Sequence, residues 1–141
     1  GALFVVTADR DARDVVQSQA NNVVRTMYSM PPDHGAAVVA MILNDDRLRE
    51  DWIDELTAMR ERLREMRQLL HDALREAAPD HDFSHLVRAK GMFCFLGVSP
   101  EQVGRLKKEH SVYMVDSSRI NIAGITADNV GHIARSVAAV L

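Results

Sequence analysis

The chain has 141 residues, is 47% apolar and 26% charged, and carries a net charge of −3. That length supports one ordinary domain with a core covering most of its apolar surface, and the balance predicts a soluble globular chain. Arginines interleaved with acids give no basic field for nucleic acid, and no apolar run approaches the roughly 20 residues of a membrane span.

A single cysteine, Cys94 in MFCFLG, rules out a disulfide within the chain, reads as a buried thiol and points to a reducing cytoplasm. The N-terminal GALFVVTADR lacks the charged region and cleavage site of a signal peptide and begins without methionine. Residues 1–8 are a continuous apolar run of the kind buried on both faces of an α/β sheet, and they lack obvious partner strands. The expectation is a piece of something longer.

After Asp9, apolar residues at Ala12, Val15, Val16, Ala20, Val23, Val24 and Met27 predict an amphipathic helix that Ser29-Met30-Pro31-Pro32 stops. HGAAVVAMIL continues as an apolar helix to Asn44, where Asn44, Asp45 and Asp46 can cap a new start. From Leu48 the stripe Trp52, Leu56, Met59, Leu63, Met66, Leu70, Leu74 predicts about 30 residues of helix, near 45 Å long. Its outer face is dense in Glu and Arg at i,i+3 and i,i+4, the pattern of a solvated surface. A coiled coil would last only about three heptads. A spine joining two lobes is the preferred reading.

Beyond Pro79, FSHLVR and MFCFLG flank Ala-Lys-Gly and read as a hairpin with Gly91 at the turn. Ser99-Pro100-Glu101-Gln102 is a helix start with an N-cap serine, a proline at the first helical position and a glutamine at the third. That helix turns Val103, Leu106 and His110 inward. VYMVD and RINIAG read as two more strands, and Thr126 as the cap of a last helix whose face is Val130, Ile133, Val137 and Leu141. The order from residue 80 is β-β-α-β-β-α, an α+β lobe.

In DSSRINIAG, Arg119 stands at the start of an apolar strand. A guanidinium is a rigid donor fork matched to a carboxylate, although this nonapeptide alone reads first as a surface ion pair. The six histidines are scattered, and the serines and glycines fit neither a nucleophile elbow nor a phosphate loop. No catalytic set and no metal site emerges.

The segments VVRTMYSMPPDHGAAVV, GMFCFLG and SSRINIAG, separated by the long charged helix, resemble the C-terminal third of the aspartate and aromatic amino-acid aminotransferases. These are fold-type I enzymes that use pyridoxal phosphate. The resemblance runs through essentially the whole chain in one order. It implies an α/β fold: residues 1–45 ending a large cofactor domain, 46–78 an inter-domain helix, and 79–141 a C-terminal α+β small domain.

It also implies roles. Arg119 matches the arginine that binds the substrate α-carboxylate, with Ser118 where the family has glycine. Arg25 matches an arginine that reaches across a homodimer to the distal carboxylate of dicarboxylic substrates. Tyr28 and Ser29 match a pair near the neighbouring subunit's site, and Phe93 matches a wall of the substrate pocket, though a plain core phenylalanine is the other reading. Met30 follows neither the asparagine of aspartate-type members nor the serine of aromatic-type ones. The implied substrates are an amino acid and a 2-oxo acid.

The family's Schiff-base lysine, acidic cofactor partner and phosphate anchor all precede the matched region. Lys90, Lys107 and Lys108 match none of them. The chain alone is therefore expected neither to bind pyridoxal 5'-phosphate nor to transaminate. The alternative expectation is a non-catalytic module that self-associates through residues 1–8 and the helix at 11–28.

Overall fold

The computed structural model describes residues 3–141. The chain divides into a first unit ending at Glu50 and a second, Asp51–Leu141.

In the first unit, helix α1 (Arg10–Met27) begins where Asp9 Oδ1 accepts from the Ala12 N–H at 2.7 Å. It ends as both Tyr28 and Ser29 donate to the Val24 carbonyl, with Ser29 at φ +62°. That left-handed residue closes the last turn before Pro31 and Pro32. Helix α2 (His34–Asn44) follows. The start of α3 (Asp46–Ala77) is capped by Asp45, whose Oδ1 accepts from the Leu48 N–H at 3.0 Å.

The strand expected over residues 1–8 does not form in its described part. Residues 1 and 2 lie outside the described residues, and residues 3–8 pair with nothing. Leu3 is 87% exposed and Val6 96%. A strand exists only as part of a hydrogen-bonded ladder, and none of the described residues offers this segment an edge.

Helix α3 runs 32 residues, close to the expected length. Its apolar stripe has two different fates. Trp52, Leu56 and Met59 lie open, whereas Leu70 and Leu74 are buried completely. The buried core of the described residues lies wholly beyond Met66, built on Leu70, Leu74, Leu86, Leu96, Leu106 and Ile122.

The second unit corrects several expected strands. FSHLVR is instead a turn and a short helix, α4 (His85–Arg88). Phe83 and Leu86, three residues apart, both point into the core, which a helical turn permits and an alternating strand does not. Asp82 fixes the entry by accepting from the N–H and hydroxyl of Ser84. Gly91 does take the left-handed conformation, at φ +87°, leading into β1 (Phe93–Phe95). VYMVD joins no ladder and its last residue, Asp116, already belongs to a turn; β1 is hydrogen-bonded instead to β2 (Arg119–Asn121) in a two-stranded antiparallel sheet. RINIAG is a strand only through Asn121; Ile122–Gly124 then turn as a 3₁₀ segment that buries Ile122.

Helix α5 (Pro100–His110) begins as expected. Ser99 Oγ accepts from the Gln102 N–H while Gln102 Oε1 accepts from the Ser99 N–H. Helix α6 (Val130–Val140) starts one turn later than expected, with Asn129 at the N-cap. Thr126 lies one turn earlier and exchanges side-chain to backbone hydrogen bonds with Asn129. The two helices join where Gln102 Nε2 donates to the Val140 carbonyl and Arg105 to that of Ala139, satisfying terminal carbonyls that α6 leaves open.

Ser118 occupies a φ of +66° directly before β2 and is only 4% exposed. An L-residue there costs roughly 1–2 kcal/mol relative to right-handed backbone. The hydroxyl offsets that cost by accepting from the N–H groups of Gly97 (2.9 Å) and Val98 (3.1 Å). Ser118→Ala keeps the unfavourable φ and strands both donors, so urea unfolding should show a loss of about 2–4 kcal/mol. Ser118→Gly relieves the φ but not the donors and should fall between alanine and wild type. A glycine variant as stable as wild type would remove the role given to the hydroxyl.

Candidate functional site at the β1–β2 pair

The sheet register sets Phe93 opposite Asn121, Cys94 opposite Ile120 and Phe95 opposite Arg119. Side chains alternate across a strand, so Cys94 turns into the core while Phe93 and Phe95 face outward. Arg119 and Asn121 share that outer face. Phe93 and Arg119 are diagonal neighbours, and the Arg119 guanidinium carbon lies 5.0 Å from the Phe93 ring centroid. At an exposed site such a cation–π contact contributes about 0.5–1 kcal/mol.

Arg119 makes no ion pair and no side-chain hydrogen bond among the described residues. The nearest acid in sequence, Asp116, is taken by Lys107 Nζ at 2.6 Å. The donor fork is therefore free. It borders a cleft of about 360 Å³ that includes Phe93, Tyr113, Val115, Asn121 and Ile133. An apolar wall beside an uncompensated planar cation is suited to a carboxylate carrying an apolar body.

Two side chains, Arg67 and His85, bond to the backbone of β1 and of the segment that leads into it. Arg67, on α3, is 5% exposed and donates to the Leu86 carbonyl at 3.0 Å and to the Gly91 carbonyl. Burial raises the thiol pKa of the inward-facing Cys94, and the positive charge of Arg67 opposes that shift. His85 Nε2 lies 3.0 Å from the Phe95 carbonyl. Sequence reasoning missed Arg67, although a signal existed: it interrupts the apolar stripe between Leu63 and Leu70 at core-facing spacing. A cation on the buried face of a helix requires partners, and here they are backbone carbonyls.

The structure thus brings Phe93 and Arg119 together. Arg25 and Ser29, at the end of α1 in the first unit, share a shallow depression of about 580 Å³ with Ser18, Asn21 and Asn22. Tyr28 is exposed beside them and does not line it. Of the three lysines, Lys90 and Lys108 are exposed and Lys107 is paired, and none lines the Arg119 cleft. Among the described residues no cluster of His, Cys, Asp or Glu has metal-binding geometry, and no helix is long and apolar enough to cross a membrane.

Comparison with known proteins identifies the family of the chain. Residues 1–137 match the family described as aminotransferase class I and II. The chain is 46% identical over its full length to an aspartate aminotransferase of Escherichia coli, covering 36% of that protein. An aromatic-amino-acid aminotransferase from Burkholderia pseudomallei, solved covalently bound to pyridoxal phosphate, superposes with a TM-score of 0.86 at 40% identity, over 96% of this chain and 34% of that one. An aromatic amino acid aminotransferase solved with 3-indolebutyric acid gives 0.88 at 38% identity, with the same coverage. The chain spans about a third of the length of the curated relatives it matches. Mostly helical in itself, with one small sheet, it is a portion of the α/β fold-type I aminotransferase architecture and belongs to the class I and II aminotransferase family.

Proposed function

We propose that this chain supplies the substrate-carboxylate-binding part of a pyridoxal-phosphate-dependent aminotransferase. That enzyme moves an amino group between an aromatic or dicarboxylic L-amino acid and a 2-oxo acid. The observation that carries the reading is the unpaired Arg119 fork stacked on Phe93 at the edge of an apolar cleft. Arg119 takes the α-carboxylate, and Phe93 walls the side-chain pocket and excludes water. Arg25 takes the distal carboxylate of a dicarboxylic substrate across a homodimer interface, with Tyr28 and Ser29 beside the neighbouring subunit's site. Met30 matches neither substrate type, so both substrate classes belong to the proposal. The enzyme works in the cytoplasm.

The relative solved with pyridoxal phosphate supports that cofactor for the intact enzyme. Its role there is to hold the substrate amino group covalently and stabilise the charge formed at the α-carbon. The residues of this chain do not fit its attachment, because no lysine approaches the Arg119 cleft. Taken alone, the chain is without transaminase activity. What it contributes is binding and orientation: a bidentate grip fixes the substrate's carboxylate while the apolar wall sets the direction of its side chain.

A chimaera tests this, joining the chain to the preceding two thirds of the Escherichia coli aspartate aminotransferase. The chimaera should transaminate, and Arg119→Leu should lower kcat/KM by about 100-fold or more for every substrate, the cost of an unpaired carboxylate in a partly buried site. Arg25→Leu should lower it for dicarboxylic substrates alone. An Arg119→Leu chimaera within about threefold of its parent would overturn the carboxylate role.

The exposure of Leu3, Phe4, Val6, Val15 and Val23 favours a second reading, in which the isolated chain self-associates without catalysis. Sedimentation should then find concentration-dependent oligomers that Phe4→Asp dissociates. A chain that stays monomeric on concentration would exclude this reading.

A further inference from the structure

We infer that Arg67 is a positioning residue: its buried guanidinium, bonded to the carbonyls of Leu86 and Gly91, sets the entry of β1 so that the Phe93 ring lies under Arg119. The inference rests on the carboxylate reading for the task it gives Arg119, but its geometry stands independently.

A buried cation is costly unless its donors are satisfied, and a well-packed apolar side chain would fill the same space at less cost. No carboxylate pairs with Arg67 among the described residues. Its two carbonyl acceptors bracket one short segment: Leu86 lies within α4, and Gly91 is the left-handed residue two positions before Phe93. A planar fork spans two acceptors at fixed angles, which a lysine head cannot do. With both carbonyls held from α3, the segment between them has little freedom left.

The constraint passes directly into the sheet. Met92, next to Gly91, accepts from the Ile122 N–H at 2.9 Å, and Phe93 then pairs with Asn121. On the far side of Phe93, Cys94 turns inward and is buried in the core, so Phe93 stands between a backbone held from α3 and a side chain held by packing. Phe93 itself is half exposed and has no comparable packing of its own. Its place under Arg119 therefore depends on the backbone that Arg67 holds.

The test needs no ligand. Aromatic ring currents move protons held over a ring face upfield, so in the 141-residue chain the Arg119 side-chain protons should be shifted upfield by Phe93, and Phe93→Leu should abolish the shift. Arg67→Met should also abolish it while amide dispersion and helical circular dichroism stay at wild-type values, an outcome that a merely structural role does not give. Should Arg67→Met fail to fold, Arg67→Lys decides: it keeps the charge but reaches one carbonyl, and the upfield shift should shrink. A wild-type shift in either folded variant overturns the inference. Because no carboxylate is present, that failure would leave the reading of Arg119 intact, and loss of activity in an Arg119→Leu chimaera would still report on it separately.

Discussion

The antiparallel register that sets Phe95 against Arg119 and Phe93 against Asn121 determines what the second unit presents to a ligand. Side chains alternate with a period of two, so one register puts two aromatic rings and a guanidinium on the outer face and a thiol on the inner one. A slip of one residue would send Arg119 toward Leu70 and Leu74 and turn apolar Ile120 out. With three residues in each strand, the ladder is too short to enforce that choice alone.

Enforcement comes from buried polar groups at both strand entries. Ser118 ties the start of β2 to Gly97 and Val98, and its carbonyl accepts from the Leu96 N–H. Arg67 ties the approach to β1 back to α3. Beneath them Leu70, Leu74, Leu96 and Ile122 exclude water, which strengthens these hydrogen bonds and makes their absence costly. The fold thus holds its cleft by satisfied polar contacts laid over an apolar core. Among the described residues Arg119 is left on that face with no ion-pair or hydrogen-bond partner for its side chain.

What the sequence disclosed follows from how local each signal is. Helices α1, α2, α3 and α5 were legible because periodicity, caps and prolines act within a few residues: Asp9, Asp45 and Ser99 all accept hydrogen bonds near the helix starts they announce. Strands were less legible because each needs a second backbone. Residues 3–8 and VYMVD carry strand-like composition yet pair with nothing among the described residues. FSHLVR misled because Phe83 and Leu86 share a face only once Asp82 and Ser84 have begun a turn. For the site, Arg119 and Phe93 were picked out by family resemblance, and geometry then put one over the other. Arg67 stayed hidden because among the many arginines of α3 nothing local distinguishes a buried one from a solvated one except its place in the stripe.

The account turns on whether the Arg119 fork takes a carboxylate in the Phe93 cleft. The most direct measurement is an NMR titration of the chain with 3-phenylpropionate, following the Arg119 side-chain Nε–H signal. The account predicts a saturable shift of that signal, accompanied by Phe93 and Val115 and absent in Arg119→Leu. A titration that moves other arginines while the Arg119 signal stays in place would contradict it.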